Sequence, residues 1–317
     1  VAIDLKSPTG QEAMRALIQR SDVLVENFRP GVLERLGFGV EAARALNPRL
    51  IYASISGFGN EGLPEFVASP GYDLLAQSLS GVASLTGPAD ASPSKAGISI
   101  GDLVGGLYAV QGIMAALYER ERTGLGKRVD ISMLDGLVSL LTYQASAWLV
   151  GGKPPGRLGN QHPSICPFET LRTSDGHLSV CCGNDKQFAA LATALERPEL
   201  LEDERFGSNS SRVQHRPILI PILEAVLAAH PSATWLPLLT EAGVPCAQIC
   251  DVPTALEHPQ LAARGMIGEV DHPTAGTIKA IATPIRLDGV AAFTPVPSPT
   301  LGQHTTEILE ELGLDPS

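Results

Sequence analysis

The sequence predicts an α/β protein, on three observations. Through the first half, short apolar runs alternate with segments of helical periodicity, the rhythm of βαβ units around a parallel sheet. The runs are continuous, as expected of parallel strands covered on both faces. Near position 151 the composition shifts: "GGKPPGRLGNQHPSICP" (151–167) is rich in Gly and Pro, and a mixed α+β region follows.

Taken in order, Val1–Leu5 reads as a strand and Ser7–Gly10 as a turn. Gln11–Arg20 is helical, with Met14, Leu17 and Ile18 on its apolar side. "DVLVE" (22–26) is a short strand. Pro30 opens a helix in "RPGVLERLG", as proline is tolerated in a first turn, and Gly37 ends it. Leu50–Gly59 is a strand running into a glycine loop, and Tyr72–Val82 is helical, with Leu74, Leu75 and Leu79 on one side. "GISIGDLVGGLYAVQGIMAALYERERTGLGKRVDISM" (97–133) holds a long helix and then a strand. Arg120 and Arg122 complement the dipole at the helix end, and Gly124 suits a left-handed stop. Leu134–Val150 reads as one buried helix. "FETLRTSDGHLSVCCG" (168–183) reads as a hairpin around Asp175-Gly176. Further helices are expected over Gln187–Leu195, within 208–230 and over Trp235–Gly243, and the last part mixes strands with a terminal helix. The expected division is 1–145 in a large unit, 146–165 as linker or active-site loop, 166–250 as a small unit, and 251–317 returning to the large one.

At 317 residues and 44% hydrophobic, the chain supports a sizeable core and two such units. A net charge of −11 without a basic block argues against a nucleic-acid partner. No membrane is expected either: the nearest approach to a span, Leu134–Val150, is interrupted by Asp135, Ser139, Gln144 and Ser146. Five cysteines make no disulfide framework, and Cys246 with Cys250 lacks the second pair of a metal site. Buried thiols in a reducing compartment, cytoplasm or mitochondrial matrix, are the expectation. The chain opens without Met, directly in a strand, and is expected to be the middle of a longer one.

Asp102 is the residue with two readings. It sits where the long helix begins, which suits an N-cap. The same place suits a nucleophile, since the helix end favours an anion and nearby N–H groups can stabilise an oxyanion. Gly105 and Gly106 leave room for a ligand beside the first turn. "ENFRPGVLERLG" (26–37) puts a polar loop and a helix start after a strand, where open α/β sheets bind ligands; an ordinary βα loop has the same pattern. "SGFGNEGL" (56–63) lacks a phosphate-loop lysine and a dinucleotide fingerprint, and no Gly-x-Ser-x-Gly elbow is present. Of seven scattered histidines, His162 stands out for its place in the Gly/Pro loop, although a structural role is the more frequent one for such a residue.

Together, "AIDLKSPTG", "DVLVENFRPGVLERLG", "SPGYDLLAQSLSG", the long Asp102 segment, "DGHLSVCCGNDKQF", "RGMIGEVDHP" and "LGQHTTEILEELG" resemble the family III CoA-transferases, in order along nearly the whole chain. The resemblance implies a Rossmann-like large lobe, a smaller α+β lobe and an interlocked homodimer. It implies that Asp102 carries the acyl group and then CoA through anhydride and thioester intermediates. Acyl-CoA and a small carboxylic acid, with a dicarboxylate such as succinate as one partner, are then the substrates, and no metal or bound cofactor is needed. It implies CoA contacts at Asn27, Phe28, Arg35 and Leu36, with Tyr72 at the thioester site; Gly105, for the room it leaves, is counted with these CoA-binding residues. Racemases of the family carry a His near position 72; Tyr, with an ordinary pKa of about 10, is a poor base there and favours transfer. The glycine loop that shields intermediates in some members is here "GNQHPSICP" (159–167), so a shield is expected to be built differently, with His162 in it. The family's opening βαβ unit is absent, which keeps a non-catalytic CoA-binding relative as a third expectation beside transferase and racemase.

Overall fold

Residues 1–291 and 296–315 are described by the structure, a computed structural model. The chain forms two compact units, Val1–Gly159 with Pro299–Ser317, and Asn160–Ser298. Within the expected return segment 251–317, residues 292–295 and 316–317 lie outside the described residues. The segment joins the first unit only from Pro299, because the chain before it closes on itself in local hairpins.

The first unit is built on a parallel sheet in the order β1 (Val23–Glu26), β2 (Ile51–Ser56), β3 (Arg128–Ser132). Central β2 is buried at every position but Ile55, which is half-buried. The expected strand Val1–Leu5 does not form. Asp4 instead uses its carbonyl locally, accepting from the Ser7 N–H at 3.0 Å and from Ser7 Oγ at 2.8 Å. Ser7 caps α1 (Pro8–Arg20) through its Oγ, so the expected turn is the first turn of that helix. Pro30 stands ahead of α2 (Val32–Arg35) and not within it, because Gly31 takes a left-handed φ of 82° as the cap. α3 (Val40–Leu46) follows; Ile18, Leu33, Phe38, Ala43, Leu50 and Tyr52 form the core between these helices and the sheet.

After β2 come α4 (Pro64–Val67), α5 (Asp73–Leu79) and α6 (Val82–Leu85). The single helix expected over 72–82 breaks at Gly81, which adopts a φ of 89°. α7 (Ile100–Thr123) ends at Gly124, φ 73°, as expected. Leu134–Val150, expected as one helix, is two: α8 (Met133–Ser139) and α9 (Thr142–Leu149), parted where Thr142 takes a φ of 40°. Among the described residues one single helix is long and apolar enough by composition to cross a membrane, and it is α7, with 24 residues and a mean hydropathy of 1.5 over its best window. One face of α7 lies close on the sheet because it is made of small residues. A Cβ at Gly105 would stand 3.3 Å from Ile55 Cγ2, and one at Gly112 would stand 2.6 Å from Val129 Cγ1. Buried Arg120 pins the far end of the helix, pairing with Asp22 at 2.9 Å and donating to the Arg49 carbonyl. α16 (Thr305–Glu311) returns to this unit, where Thr305 Oγ1 accepts from the Ala2 N–H at 2.9 Å.

The second unit holds an antiparallel sheet, β4 (Phe168–Arg172), β5 (His177–Cys181) and β6 (Cys246–Gln248), with the expected Asp175-Gly176 turn between the first two. α10 (Asp185–Ala194), α11 (Asn209–Gln214), α12 (Arg216–Leu227) and α13 (Ser232–Glu241) accompany it. Leu171, Leu178, Val180, Phe188, Leu219 and Leu223 are among its core residues. α14 (Val252–Leu256) and α15 (Pro259–Ala263) lead to two hairpins, β7 (Ile267–His272) with β8 (Gly276–Ile281) and β9 (Arg286–Leu287) with β10 (Val290–Ala291).

Candidate active site

A cavity of about 310 Å³ opens at the carboxyl ends of β1 and β2, the end of an open parallel sheet where loops leave room for ligands. Asn27 and Phe28 follow β1, Ser56 ends β2 and Gly57 follows it, Tyr72 and Asp73 begin α5, and Asp102 comes from the first turn of α7. Asn27, Phe28, Tyr72 and Asp102, singled out in the sequence across 76 positions (102 − 27 + 1), thus share one cavity.

Asp102 is the third residue of α7 and not its N-cap. Ser99 holds the cap position, yet its side chain makes no cap bond; the Gly101 N–H donates instead to Asp73 Oδ1 at 2.8 Å. Asp102 is exposed to the cavity side and, among the described residues, makes no hydrogen bond or ion pair. Loss of surrounding water, and then the Asp73 carboxylate, hold its pKa above the ordinary aspartate value.

Backbone contacts shape the walls. Gly57 and Gly71 cross so closely that a Cβ on Gly71 would lie 2.4 Å from Gly57 Cα, which closes the loop between them and delivers Tyr72 and Asp73. Asn27 Nδ2 donates to the Ile55 carbonyl at 2.6 Å, and the Phe28 N–H donates to Glu26 Oε2 at 2.9 Å, leaving the Phe28 ring half exposed. Arg29 is the one cation among the residues described around the cavity; it makes no hydrogen bond through its guanidinium within the described residues.

Four residues singled out in the sequence lie elsewhere. Gly105 is buried against Ile55 and Met133, so it serves helix packing and leaves no space for a ligand. Leu36 packs with the Leu33 and Phe38 core, and Arg35 ends α2; neither lines the cavity. His162 belongs to the second unit, where its Nδ1 accepts from the Ser164 N–H at 3.1 Å and its ring meets Phe168 at 5.2 Å. Its loop is held there by Arg216, which donates to the His162 and Ile165 carbonyls, and by Arg212, which donates to the Cys166 carbonyl. Sequence reasoning missed Asp73 and Arg29. The signal for Asp73 was its place beside Tyr72 at a helix start; Arg29 stood next to Phe28 in the quoted loop. Among the described residues no group of three or more His, Cys, Asp or Glu side chains is placed to hold a metal ion.

Residues 1–305 match CoA-transferase family III. The chain is 42% identical over 268 residues to acetyl-CoA:oxalate CoA-transferase of Acetobacter aceti, covering 84% of this chain and 68% of that protein. It is 36% identical over 312 residues to succinyl-CoA:glutarate CoA-transferase of Homo sapiens, covering 98% and 71%. The crystal structure of a CAIB/BAIF family protein from Brucella suis superposes with a TM-score of 0.88 at 38% identity, covering 98% of this chain and 81% of that one. The agreement of sequence, relatives and solved structure along nearly the whole length shows that this chain belongs to CoA-transferase family III and is an enzyme of that class.

Proposed function

We propose that the chain moves CoA from an acyl-CoA donor to a small carboxylic acid through covalent intermediates on Asp102. An Asp102 oxygen attacks the thioester carbonyl, the C–S bond breaks, and CoA thiolate leaves an acyl-aspartyl anhydride. The thiolate attacks the aspartyl carbonyl and expels the donor acid, giving an aspartyl-CoA thioester. The acceptor carboxylate attacks that carbonyl and releases CoA thiolate, which takes the new acyl group and restores Asp102. One difficult exchange becomes four steps without net proton transfer, and the thioester energy is kept. The observation that carries this reading is the Asp102 carboxylate, without hydrogen-bond partners among the described residues, in one cavity with Asn27, Phe28 and Tyr72.

The Phe28 ring offers an apolar face to the pantetheine arm or adenine, and Arg35 a fork for phosphate. A Tyr at 72 in place of an imidazole supports transfer over racemisation. We assign the acceptor to the small dicarboxylates. Asp73 and Asp102 already put two carboxylates into the cavity, so a second substrate carboxylate calls for a cation, and Arg29 is in place. The names of the relatives, with oxalate and glutarate among them, support the same class. The reading includes a homodimer of Rossmann-like large lobes. Its support is the outer face of α7, where Leu107, Met114 and Tyr118 are 60–73% exposed on a helix apolar on both sides. We place the reaction in a reducing compartment on the cysteine usage.

The test is intact-protein mass spectrometry after incubation with succinyl-CoA, with hydroxylamine or borohydride trapping and peptide mapping. The expected result is modification of the Asp102 peptide. Exchange that proceeds with no adduct on that peptide overturns the covalent route.

A further inference from the structure

We infer that Asp73 is a positioning residue for Asp102: by taking the Gly101 N–H it withholds the helix amide from the nucleophile and fixes the turn that presents it. The inference rests on the reading of Asp102 as the attacking group. A carboxylate in the first turn of a helix ordinarily meets unpaired N–H groups and the positive helix end, which stabilise the anion and blunt its attack. In α7 one of those N–H groups is already taken. The Gly101 N–H, one residue before the nucleophile, donates to Asp73 Oδ1 at 2.8 Å. The approach needs the glycine, since a Cβ at 101 would stand 3.0 Å from that oxygen and 3.3 Å from Leu137 Cδ1.

The other Asp73 oxygen is anchored. Gln77, one turn along α5 and fully buried, donates from Nε2 to Asp73 Oδ2 at 2.7 Å. Its Oε1 accepts from the Ala96 N–H at 2.8 Å. A single turn of α5 therefore grips the lead-in to α7 at Ala96 and at Gly101. A buried amide with both ends used is costly to disturb, so the grip is rigid. Asp73 also leaves a second negative charge beside Asp102, which raises the basicity of the nucleophile.

Other charged groups near α7 are accounted for. Arg29 and Tyr72 share the cavity. On β3, Arg128 and Asp130 pair with each other, and Asp130 also accepts from Asn60. Asp135 of α8 lines a different cavity, with Tyr108. β2 carries Tyr52 alone, buried in the helix-covered core.

Asp73→Asn removes the charge and keeps one acceptor, for the Gly101 N–H, while its amide nitrogen loses the bond from Gln77 Nε2. The pH dependence of single-turnover acylation by succinyl-CoA is the readout, with Gln77→Leu as the variant that loosens the grip without changing charge. In Asp73→Asn the acid limb is expected to move to lower pH, because the neighbouring negative charge is gone. The rate on the plateau is expected to fall roughly three- to tenfold, following the trend that makes less basic nucleophiles slower, with KM for acyl-CoA unchanged. Gln77→Leu should lower Tm and leave the limb in place. An unmoved limb in Asp73→Asn, or an equal shift in Gln77→Leu, overturns the inference. Should Asp73→Asn fail to fold, carboxyl-¹³C aspartate spectra of the parent against Asp102→Ala give the Asp102 midpoint; a value at or below about 3.9 also overturns it. Failure of the underlying reading looks different: Asp102→Ala would still exchange CoA.

Discussion

Replacing Gly71 with Ala tests how much the site depends on one backbone crossing. The new Cβ would fall 2.4 Å from both Gly57 Cα and Gly57 N, and ordinary contact begins at 3.4 Å. Neither atom belongs to a side chain that can swing away, so the two strands of backbone must part by about 1 Å, a change of the size that overpacking exacts at about 1–3 kcal/mol. Tyr72 and Asp73 follow Gly71 directly. The same displacement would stretch the 2.8 Å bond from Gly101 beyond hydrogen-bond range. Misplacement by 1 Å costs roughly 100-fold in rate, or about 2.7 kcal/mol of transition-state stabilisation. Gly106→Ala is the control, because a Cβ there meets nothing within 4 Å. In a helix interior that change is expected to stabilise by up to about 1 kcal/mol. CoA exchange followed by chromatography, beside thermal unfolding, separates the two effects. A Gly71→Ala enzyme exchanging within threefold of the parent at the parental Tm would refute the reasoning.

Asp102→Ala is expected to abolish exchange and to leave Tm at pH 7.5 equal or higher. The folded state holds the Asp102 proton more tightly than the unfolded chain, so ionising it costs stability above the ordinary aspartate range, and the variant removes that cost; exchange at the parental rate would end the assignment. Arg29→Gln should raise KM for a dicarboxylate acceptor at least tenfold and that for a monocarboxylate little, which steady-state kinetics with both acids reads. Arg216→Met strands Glu169, whose side chain is 3% exposed and pairs with Arg216 at 2.7 Å. The loss at pH 7.5 should be about 3–5 kcal/mol. Burial already pushes the Glu169 carboxyl up and losing Arg216 pushes it further, so the deficit should shrink as pH falls toward 5 and Glu169 takes up a proton. Urea unfolding at the two pH values checks this, and a deficit independent of pH would contradict it.

Much of the fold was legible because the signals are local. The apolar runs at 22–26 and 50–59, the Gly124 stop and the Asp175-Gly176 turn each act within a few residues. Errors came where a single backbone angle decided. Gly81 and Thr142, in left-handed conformations, each split an expected helix, and periodicity does not register such a break. Val1–Leu5 has strand composition, but the Asp4 carbonyl is spent on Ser7.

By itself the sequence determined the parallel α/β class, the place of Asp102 at a helix start, and the loop residues Asn27 and Phe28, since each depends on neighbours along the chain. Which residues meet was decided only in three dimensions. Gly105 faces the sheet and not a ligand because helix rotation turns it toward Ile55. Asp73 rather than Ser99 serves the α7 terminus because the crossing of Gly57 and Gly71 brings α5 against it. An amide bonds to whichever oxygen the packing brings within about 3 Å, and that distance is a property of the tertiary structure rather than of sequence separation.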